Sequence, residues 1–248
     1  MIKTFFLSVA AGKRLIAKAV VALPEVQEAL SEHTIVIGTG TTNTYVAEEI
    51  FSFLGYKEPL SHRDFFKGAT AIGPIPGKPS RPVDDLVIKK GVISWQDIND
   101  VASELKKGDI LFKGGNAVNL EESQAGVLIG NPILGTSLPI IQAVYGRKIR
   151  LIVPIGLEKR VNISMADIAG LLSSPEAEGI GFLPLPGEII TELEAVEILT
   201  GAVAELVAAG GICGAEGGCW LSLEGDEEEI KEAEALFDEI RKEPVSFL

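Results

Sequence analysis

The chain has 248 residues, of which 46% are apolar, and its 22 basic and 35 acidic side chains leave a net charge of −13. This length and apolar content suffice for one large domain, or for one domain with a small appendage. A strongly acidic chain lacks the basic surface that nucleic-acid binding needs, so we expect no nucleic-acid partner.

Two stretches have features of export or membrane signals, and we interpret neither as one. The N-terminal apolar run is only about seven residues long, at the bottom of the range for a signal peptide, and passes into a basic amphipathic segment. Residues 123–146 carry no charge, but they contain Pro132, Pro139 and four glycines, which argues against a membrane helix. We therefore expect a soluble cytoplasmic protein that does not bind membranes.

Histidine and cysteine are too scarce for a metal site. Cys213 and Cys219 lie in a glycine-rich stretch, and the two histidines, His33 and His62, are far from them in sequence. Four such residues without ligand spacing do not make a zinc site. We expect no metal and no cofactor, and we interpret the cysteines as buried thiols of a glycine-rich strand pair.

Apolar runs typical of buried strands alternate with segments of helical period along most of the chain. The runs predict strands at residues 3–9, 34–38, 109–114, 125–130 and 149–155, and a β-ribbon at residues 84–94. The helical segments are residues 11–30, interrupted at Pro24, then 42–54 with Thr42 as N-cap, 94–108 beginning at Ser94, and 138–146.

The C-terminal part has a different pattern. It predicts a helix at residues 190–210, strands at 211–215 and 218–225, and an acidic amphipathic helix at 226–244. This order of helix, two strands and helix is half of a ferredoxin-like unit. The apolar face of the last helix follows a spacing of three and four residues and holds Ile230, Ala233, Leu236, Phe237 and Ile240.

Apolar strands separated by helices predict an α/β fold, with a mostly parallel, Rossmann-like sheet and helices on both faces. We assign residues 1–190 to this ligand-binding domain and residues 191–248 to a small C-terminal α+β subdomain or extension. Right-handed crossovers place the turns that follow parallel strands at one edge of the sheet, where such folds bind ligands.

Two glycine-rich turns follow predicted strands, and the first opens a helix. Its residues are Gly38, Thr39, Gly40, Thr41 and Thr42. A helix N-terminus offers unpaired N–H groups and partial positive charge, glycines admit an anion closely, and hydroxyls add donors. The turn is neither a Walker A loop nor the GxGxxG fingerprint, because Asn43 occupies the third glycine position. The alternative is that these glycines and threonines only form the turn between strand and helix and bind no ligand.

The second turn adds residues suited to chemistry on an anion. Lys113 ends a predicted strand and could hold a phosphate or neutralise an oxyanion, and Glu122 could move a proton. The neighbouring candidates for contacts with a substrate are Gly114, Gly115, Asn116 and Asn119. A solvated lysine followed by a surface turn is the alternative interpretation.

The two turns resemble those of ribose-5-phosphate isomerase type A and its superfamily. That superfamily also includes glucosamine-6-phosphate deaminases, coenzyme A transferases and the effector domains of DeoR-type regulators. "GTGTT" is similar to the isomerase's phosphate-binding turn, and Lys113, Gly114, Gly115 and Glu122 match its lysine-to-glutamate spacing. The resemblance implies that Lys113 stabilises an enediolate and that Glu122 is the base.

The residues leave three functions open. The first is isomerisation of a phosphorylated sugar, which the Lys113-to-Glu122 spacing favours. The second is a non-catalytic sensor of a sugar phosphate. The loss of the isomerase's paired aspartates favours it, since Asp100 lies near the position of the first aspartate and Ser103 replaces the second. The third is a coenzyme A or acyl-transfer relative. The expected partner is a small phosphorylated metabolite, and a homo-oligomer is left open.

A proline-rich segment, residues 61–82, lies between the two turns in sequence. It carries four basic residues that could fold over a ligand or remain solvated, namely Arg63, Lys67, Lys78 and Arg81.

Overall fold

The computed structural model describes residues 1–66, 70 and 84–244. The strands are β1 Ile2–Leu7, β2 Thr34–Ile37, β3 Asp85–Lys89, β4 Val92–Gln96, β5 Ile110–Phe112, β6 Ala117–Asn119, β7 Gln124–Ile129, β8 Arg150–Pro154, β9 Gly181–Leu185, β10 Glu188–Ile190, β11 Val203–Ala209 and β12 Cys219–Glu224. The helices are α1 Val9–Ala22, α2 Pro24–Glu32, α3 Thr41–Phe53, α4 Ile98–Val101, α5 Ser137–Ile141, α6 Met165–Leu172, α7 Glu192–Thr200 and α8 Glu227–Ile240.

A mixed six-stranded sheet forms the centre of the described structure, in the order β10-β8-β5-β2-β3-β4. The strands β10, β8, β5 and β2 are parallel, and the hairpin β3-β4 adds two antiparallel strands beside β2. The prediction of an α/β fold with a parallel centre is therefore confirmed, while the complete sheet is mixed.

The two faces of this sheet are covered differently. Alternate side chains enter two cores, with Ile35 and Ile37 on one face and Val36 on the other. The first core is closed by α1, α2, α3 and α7. The second is closed by the short helices α4 and α5 together with a small antiparallel sheet, β6-β7-β9. Helices thus pack on both faces as expected, but on the second face a small sheet, which was not predicted, packs with them.

Residues 124–129 illustrate this difference. They form the predicted strand, β7, but it pairs antiparallel with β6 and β9 instead of joining the central sheet. The uncharged segment of residues 123–146 is divided among β7, a turn and α5. None of the helices in the described part of the chain is both long and apolar enough to cross a bilayer.

A third sheet, β1-β12-β11, joins the two ends of the chain. The predicted N-terminal strand is present, but it pairs with β12 along its whole length, from Ile2 opposite Glu224 to Leu7 opposite Cys219. Its first residues are exposed rather than buried, because they form an edge of this outer sheet. The C-terminal order α7-β11-β12-α8 therefore has β1 as an additional strand.

Three predicted elements have different bounds because of local backbone signals. The helix predicted at residues 190–210 ends at Thr200, where Gly201 adopts φ 78°, and the chain continues as β11. The strand predicted at residues 211–215 is a loop between β11 and β12. Ser94 lies in β4, and the following helix is the short α4, which Asp97 caps through a bond from the Asn99 N–H.

The last helix, α8, packs as its periodicity predicts. Ile230, Ala233, Phe237 and Ile240 are buried, and Leu236 is partly buried against the same core. The Phe237 ring lies 4.5 Å from the ring of Phe5 in β1, centroid to centroid. A capping box at Asp226 and Glu229 starts the helix.

We predict that Phe237→Ala lowers the free energy of unfolding by about 3–5 kcal/mol, because it leaves a cavity between α8 and β1. Phe53, which is 52% exposed on α3, provides the control, since Phe53→Ala removes the same group from a site open to solvent. Urea unfolding of both variants measures the difference. Equal losses in the two variants would show that α8 is not part of the packed fold.

Candidate functional site

The two glycine-rich turns lie side by side at the carboxyl edge of the parallel strands. Ile37 of β2 pairs with Phe112 of β5, and the Gly38 N–H continues the pairing with a bond to the Phe112 carbonyl at 2.9 Å. The Lys113 side chain crosses Gly38, since its Cδ is 3.7 Å from the position that a Cβ on Gly38 would occupy. The shared edge expected for the 38–42 turn and the 113–116 turn is confirmed.

Asn43 fixes the two turns to each other. Its side-chain Nδ2 donates to the Gly38 carbonyl at 2.7 Å and to the Phe112 carbonyl at 3.3 Å. The side chain is buried, so these bonds form away from solvent, where they hold geometry best. The residue at the third glycine position of the dinucleotide fingerprint thus links the strand ends to the first turn of α3.

The N-terminus of α3 has no side-chain cap. Gly40 is the N-cap, at φ 156° and ψ 153°, a region that is essentially restricted to glycine. The Thr44 N–H bonds the Gly40 carbonyl at 3.0 Å, while the N–H groups of Thr41, Thr42 and Asn43 have no acceptor within the described residues. The N-terminus of α3, a 13-residue helix, therefore presents three unpaired N–H donors and the positive end of the helix dipole.

The expected cap residue, Thr42, lies inside the helix instead. Because glycine alone adopts the Gly40 conformation readily, the N-cap falls two residues earlier than predicted. Thr42 is 2% exposed, and its Oγ1 has no hydrogen-bond partner among the described residues. A buried hydroxyl without a partner is uncommon and marks a place where a ligand or water completes the bonding.

Thr39 has a structural partner. Its N–H donates to Oδ1 of Asp85 at 2.9 Å, and the other carboxylate oxygen, Oδ2, accepts from the Ile98 N–H at 3.3 Å. Asp85 begins the antiparallel strand β3, which brings this buried carboxylate to the same edge. The Thr39 N–H is therefore committed to Asp85, and the donors left for an anion come from the following residues.

A lysine from α1 reaches the first turn of α3. Lys13 Nζ donates to Thr41 Oγ1 at 3.3 Å, and Lys13 makes no ion pair with any residue in the described part of the chain. Burial lowers the pKa of Lys13, and the negative charges of Glu158 and Glu192 oppose this effect. An ammonium held in this position against a neutral hydroxyl is suited to pairing with an incoming anion.

The position of α1 against α3 is set by Arg14. Its guanidinium donates to Glu48 at 2.6 Å, to Glu49 at 3.0 Å and to Glu243 at 2.7 Å. It also stacks on Tyr45, with 4.7 Å between Cζ and the ring centroid. These contacts join α1, α3 and the end of α8, so they hold the neighbouring residue, Lys13, at the helix N-terminus.

Two carboxyl groups occupy the same edge beyond β8 and β10. Glu192 is 3% exposed at the start of α7, and its Oε2 accepts the Leu157 N–H at 2.8 Å. Burial, and next the charge of Glu158, raise the pKa of Glu192 to about 8. Glu158 folds back over Gly156, and Gly12 of α1 lies against the Glu192 carboxyl where a Cβ would collide with it. Glu192, largely uncharged at neutral pH, therefore lies against the residue that precedes Lys13 in α1.

The second turn and its hairpin have mainly packing roles in the structure. Gly115 lies where a Cβ would collide with Ile155, and the Asn116 Oδ1 accepts the Leu128 N–H at 3.1 Å. Asn119 Oδ1 accepts the Glu122 N–H at 3.0 Å, which closes the β6-β7 hairpin. Glu122 is exposed in this hairpin, with β6 between it and Lys113. No bond between Glu122 and Lys113 is present among the described residues.

Gly114 leaves room beside β8, with 3.9 Å between its Cβ position and the Pro154 carbonyl. Of the four basic residues in the proline-rich segment, Arg63 lies exposed in a 3-10 turn, His62–Phe65. Lys67, Lys78 and Arg81 lie outside the described residues.

The cysteines do not form the expected pair of buried thiols. Cys219 is buried in β12, whereas Cys213 is exposed in the loop before it, because residues 211–215 are not a strand. Burial raises the pKa of the Cys219 thiol to about 12, which makes it unreactive near neutral pH.

Sequence reasoning missed Lys13, Asp85 and Glu192. Lys13 and Asp85 reach the edge from α1 and from an antiparallel strand, so no strand-then-turn pattern marks them. Glu192 had a signal, since Thr191 and Glu194 form a capping box that marks the start of a helix after a short apolar run. That start implies another turn at the carboxyl edge.

The described residues contain no group of three or more histidine, cysteine, aspartate or glutamate side chains arranged to hold a metal ion. No protein-family model, curated protein or solved structure matches the chain. The function must therefore be inferred from the geometry of the edge itself.

We predict that Glu192 makes stability depend on pH. Its pKa is raised from 4.5 to about 8 in the folded state, so the folded state holds more protons than the unfolded state across that interval. This contribution to the free energy of unfolding is complete below pH 4.5 and declines as pH rises through about 8. Glu192→Gln should remove it, and the slope should differ from wild type by up to about 1.4 kcal/mol per pH unit.

Urea unfolding at several pH values between 5 and 9 measures these slopes. Glu197 lies exposed on the same helix, so Glu197→Gln is the matched control and should keep the wild-type slope. A wild-type slope in Glu192→Gln would mean that this carboxyl titrates normally.

Proposed function

We propose that the protein binds a small phosphorylated metabolite, a sugar phosphate, with the phosphate on the first turn of α3. The observation that carries the proposal is the uncapped N-terminus of α3, where the N–H groups of Thr41, Thr42 and Asn43 have no acceptor within the described residues. A phosphate provides acceptors for several such donors at once, and the helix dipole favours its negative charge.

Two lysines support an anion of this charge. Lys13 Nζ is bonded to Thr41, and the stem of Lys113 crosses Gly38 beside the same turn. The buried Thr42 hydroxyl has no partner in the described structure and adds a donor. A dianionic phosphate matches two ammonium groups better than a carboxylate does, because it carries more charge and more acceptor sites.

The surroundings favour a small ligand with hydroxyl groups. Glu158 lies next to this edge of the sheet, is only partly buried and could accept hydrogen bonds from a sugar. The edge lies outside the carboxyl ends of parallel strands, the usual ligand position in α/β folds. We therefore propose together that the domain is Rossmann-like, that it is related to the isomerase superfamily and that its ligand is a sugar phosphate.

Isomerisation through Lys113 and Glu122 is the second candidate, and the spacing of these residues in sequence favours it. In the structure, Glu122 lies exposed at the end of a hairpin, which gives the isomerisation candidate less support than phosphate binding. A sensor without chemistry uses the same anion site and needs no base.

We predict that Lys13→Met and Lys113→Ala each weaken binding of a sugar phosphate by about 1.5–3 kcal/mol, the range for a hydrogen bond to a charged group. Calorimetric titration with a panel of pentose and hexose phosphates measures the loss. Lys107→Ala is the charge-matched control, since this lysine is exposed before the amino end of β5, whereas Lys113 follows the carboxyl end of that strand. Equal affinity in all four proteins would remove the two lysines from the site.

We predict that Glu122→Gln separates the two candidates. If Glu122 is a general base, the variant keeps its affinity and loses about 10²–10⁴-fold in turnover. Proton exchange from the bound sugar phosphate in heavy water, followed by NMR, measures this step. If the wild-type protein binds the sugar phosphate without proton exchange, the isomerase hypothesis is rejected and the sensor hypothesis stands.

A further inference from the structure

Glu192 carries a buried carboxyl group that the anion site does not use directly. Glu192 is 3% exposed and makes no ion pair within the described residues. Its Oε2 is held by the Leu157 N–H at 2.8 Å, so it has one defined orientation. A buried carboxyl in this state keeps a proton or must find a cation.

Its partner is the carboxyl of Glu158, one residue after Leu157. Glu158 folds over Gly156, and the Glu192 carboxyl accepts the Leu157 N–H, so both carboxyl groups lie against the short segment that follows β8. Glu158 is only partly buried. The charge of Glu158 opposes ionisation of Glu192, so Glu192 is the member of this pair that holds a proton.

Lys13 lies between this pair and the anion site. The residue before it, Gly12, contacts the Glu192 carboxyl, and its own Nζ bonds Thr41 at the N-terminus of α3. Other charged or titratable groups that act on the pair are Lys159, beside Glu158, and the Cys219 thiol of β12. The charges of Glu158 and Glu192 both act on the Lys13 ammonium, so this cation is shared between the pair and any bound anion.

We propose that binding of a phosphate-type anion at α3 drives uptake of one proton by the Glu158–Glu192 pair. The anion pairs with the Lys13 ammonium and also brings its own negative charge. Both changes raise the free energy of the ionised Glu158–Glu192 pair. The pair then takes a proton from solvent, and the carboxyl of Glu192 becomes neutral. By linkage, deprotonation of the pair weakens the anion site to the same extent. This inference rests on the proposed function, because it requires an anion at that site.

Sulfate is the probe of choice, because it remains a dianion across the whole range of the experiment, whereas inorganic phosphate itself titrates near neutral pH. Calorimetric titration of the full chain in two buffers of different ionisation enthalpy gives the number of protons taken up. At pH 8 we expect up to about half a proton per sulfate bound, and at pH 6 close to none, since the pair is then already protonated. The sulfate affinity should fall about fivefold or more between pH 6 and pH 9.

The variants identify which group takes the proton. Glu192→Gln imitates the protonated carboxyl, so it should bind sulfate at pH 8 as wild type does at pH 6 and should take up no proton. Glu158→Gln should move the uptake to lower pH, because it removes the charge that holds the proton on Glu192. Glu197→Gln, on the exposed face of the same helix, should behave as wild type.

The other outcomes contradict the proposal in distinguishable ways. Uptake that persists in Glu192→Gln and disappears in Lys13→Met would assign the proton to Lys13 and overturn the carboxyl pair. Sulfate binding without proton uptake at pH 8 would refute the proposed linkage, while the proposed anion site would stand. Absence of sulfate binding at every pH would remove both the anion site and the linkage.

Discussion

The bonds of the Asn43 amide are the interaction on which the site depends. Nδ2 joins the carbonyls at the ends of two neighbouring parallel strands, Gly38 of β2 and Phe112 of β5. The same residue lies in the first turn of α3, so one side chain fixes the two strand ends and the helix that follows. Because the Lys113 stem crosses Gly38 and Lys13 bonds Thr41, both ammonium groups are positioned relative to this junction.

A second constraint is the balance of buried charge around the junction. The proposed anion site collects positive charge from the helix end and two lysines. Asp85 lies on one side of it and the Glu158–Glu192 pair on the other. The raised pKa of Glu192 keeps one carboxyl neutral at neutral pH, which leaves the Lys13 ammonium less fully neutralised. Arg14, by contrast, is fully engaged by three carboxylates and serves to hold α1 against α3.

Much of the fold could be predicted from the sequence, because local signals and packing agree there. The apolar runs that became β2, β5 and β8 are buried on both sides, and the spacing of Ile230, Ala233 and Phe237 gave the packed face of α8. Predictions failed where long-range pairing decides the outcome. The β1 run is apolar enough for a central strand, yet it pairs with β12 at the other end of the chain.

The candidate site could be predicted only in part, because long-range contacts bring some of its residues together. The strand-to-helix pattern marks residues 38–42, and the strand end marks Lys113. Asp85 and Lys13 reach the edge through an antiparallel strand and a helix packing angle, which no local pattern reveals. Glu122 satisfies a spacing in sequence, but the hairpin β6-β7 turns it into solvent. The spacing of residues alone does not determine what converges in space.

The central claim is that the uncapped end of α3 holds a phosphate-type anion. The most direct measurement is a crystal structure of the protein soaked with sulfate at low ionic strength. The claim predicts tetrahedral density within hydrogen-bonding distance of the N–H groups of Thr41 and Thr42 and of Lys13 Nζ. Well-ordered crystals in which this turn carries only water, while sulfate binds elsewhere, would contradict it.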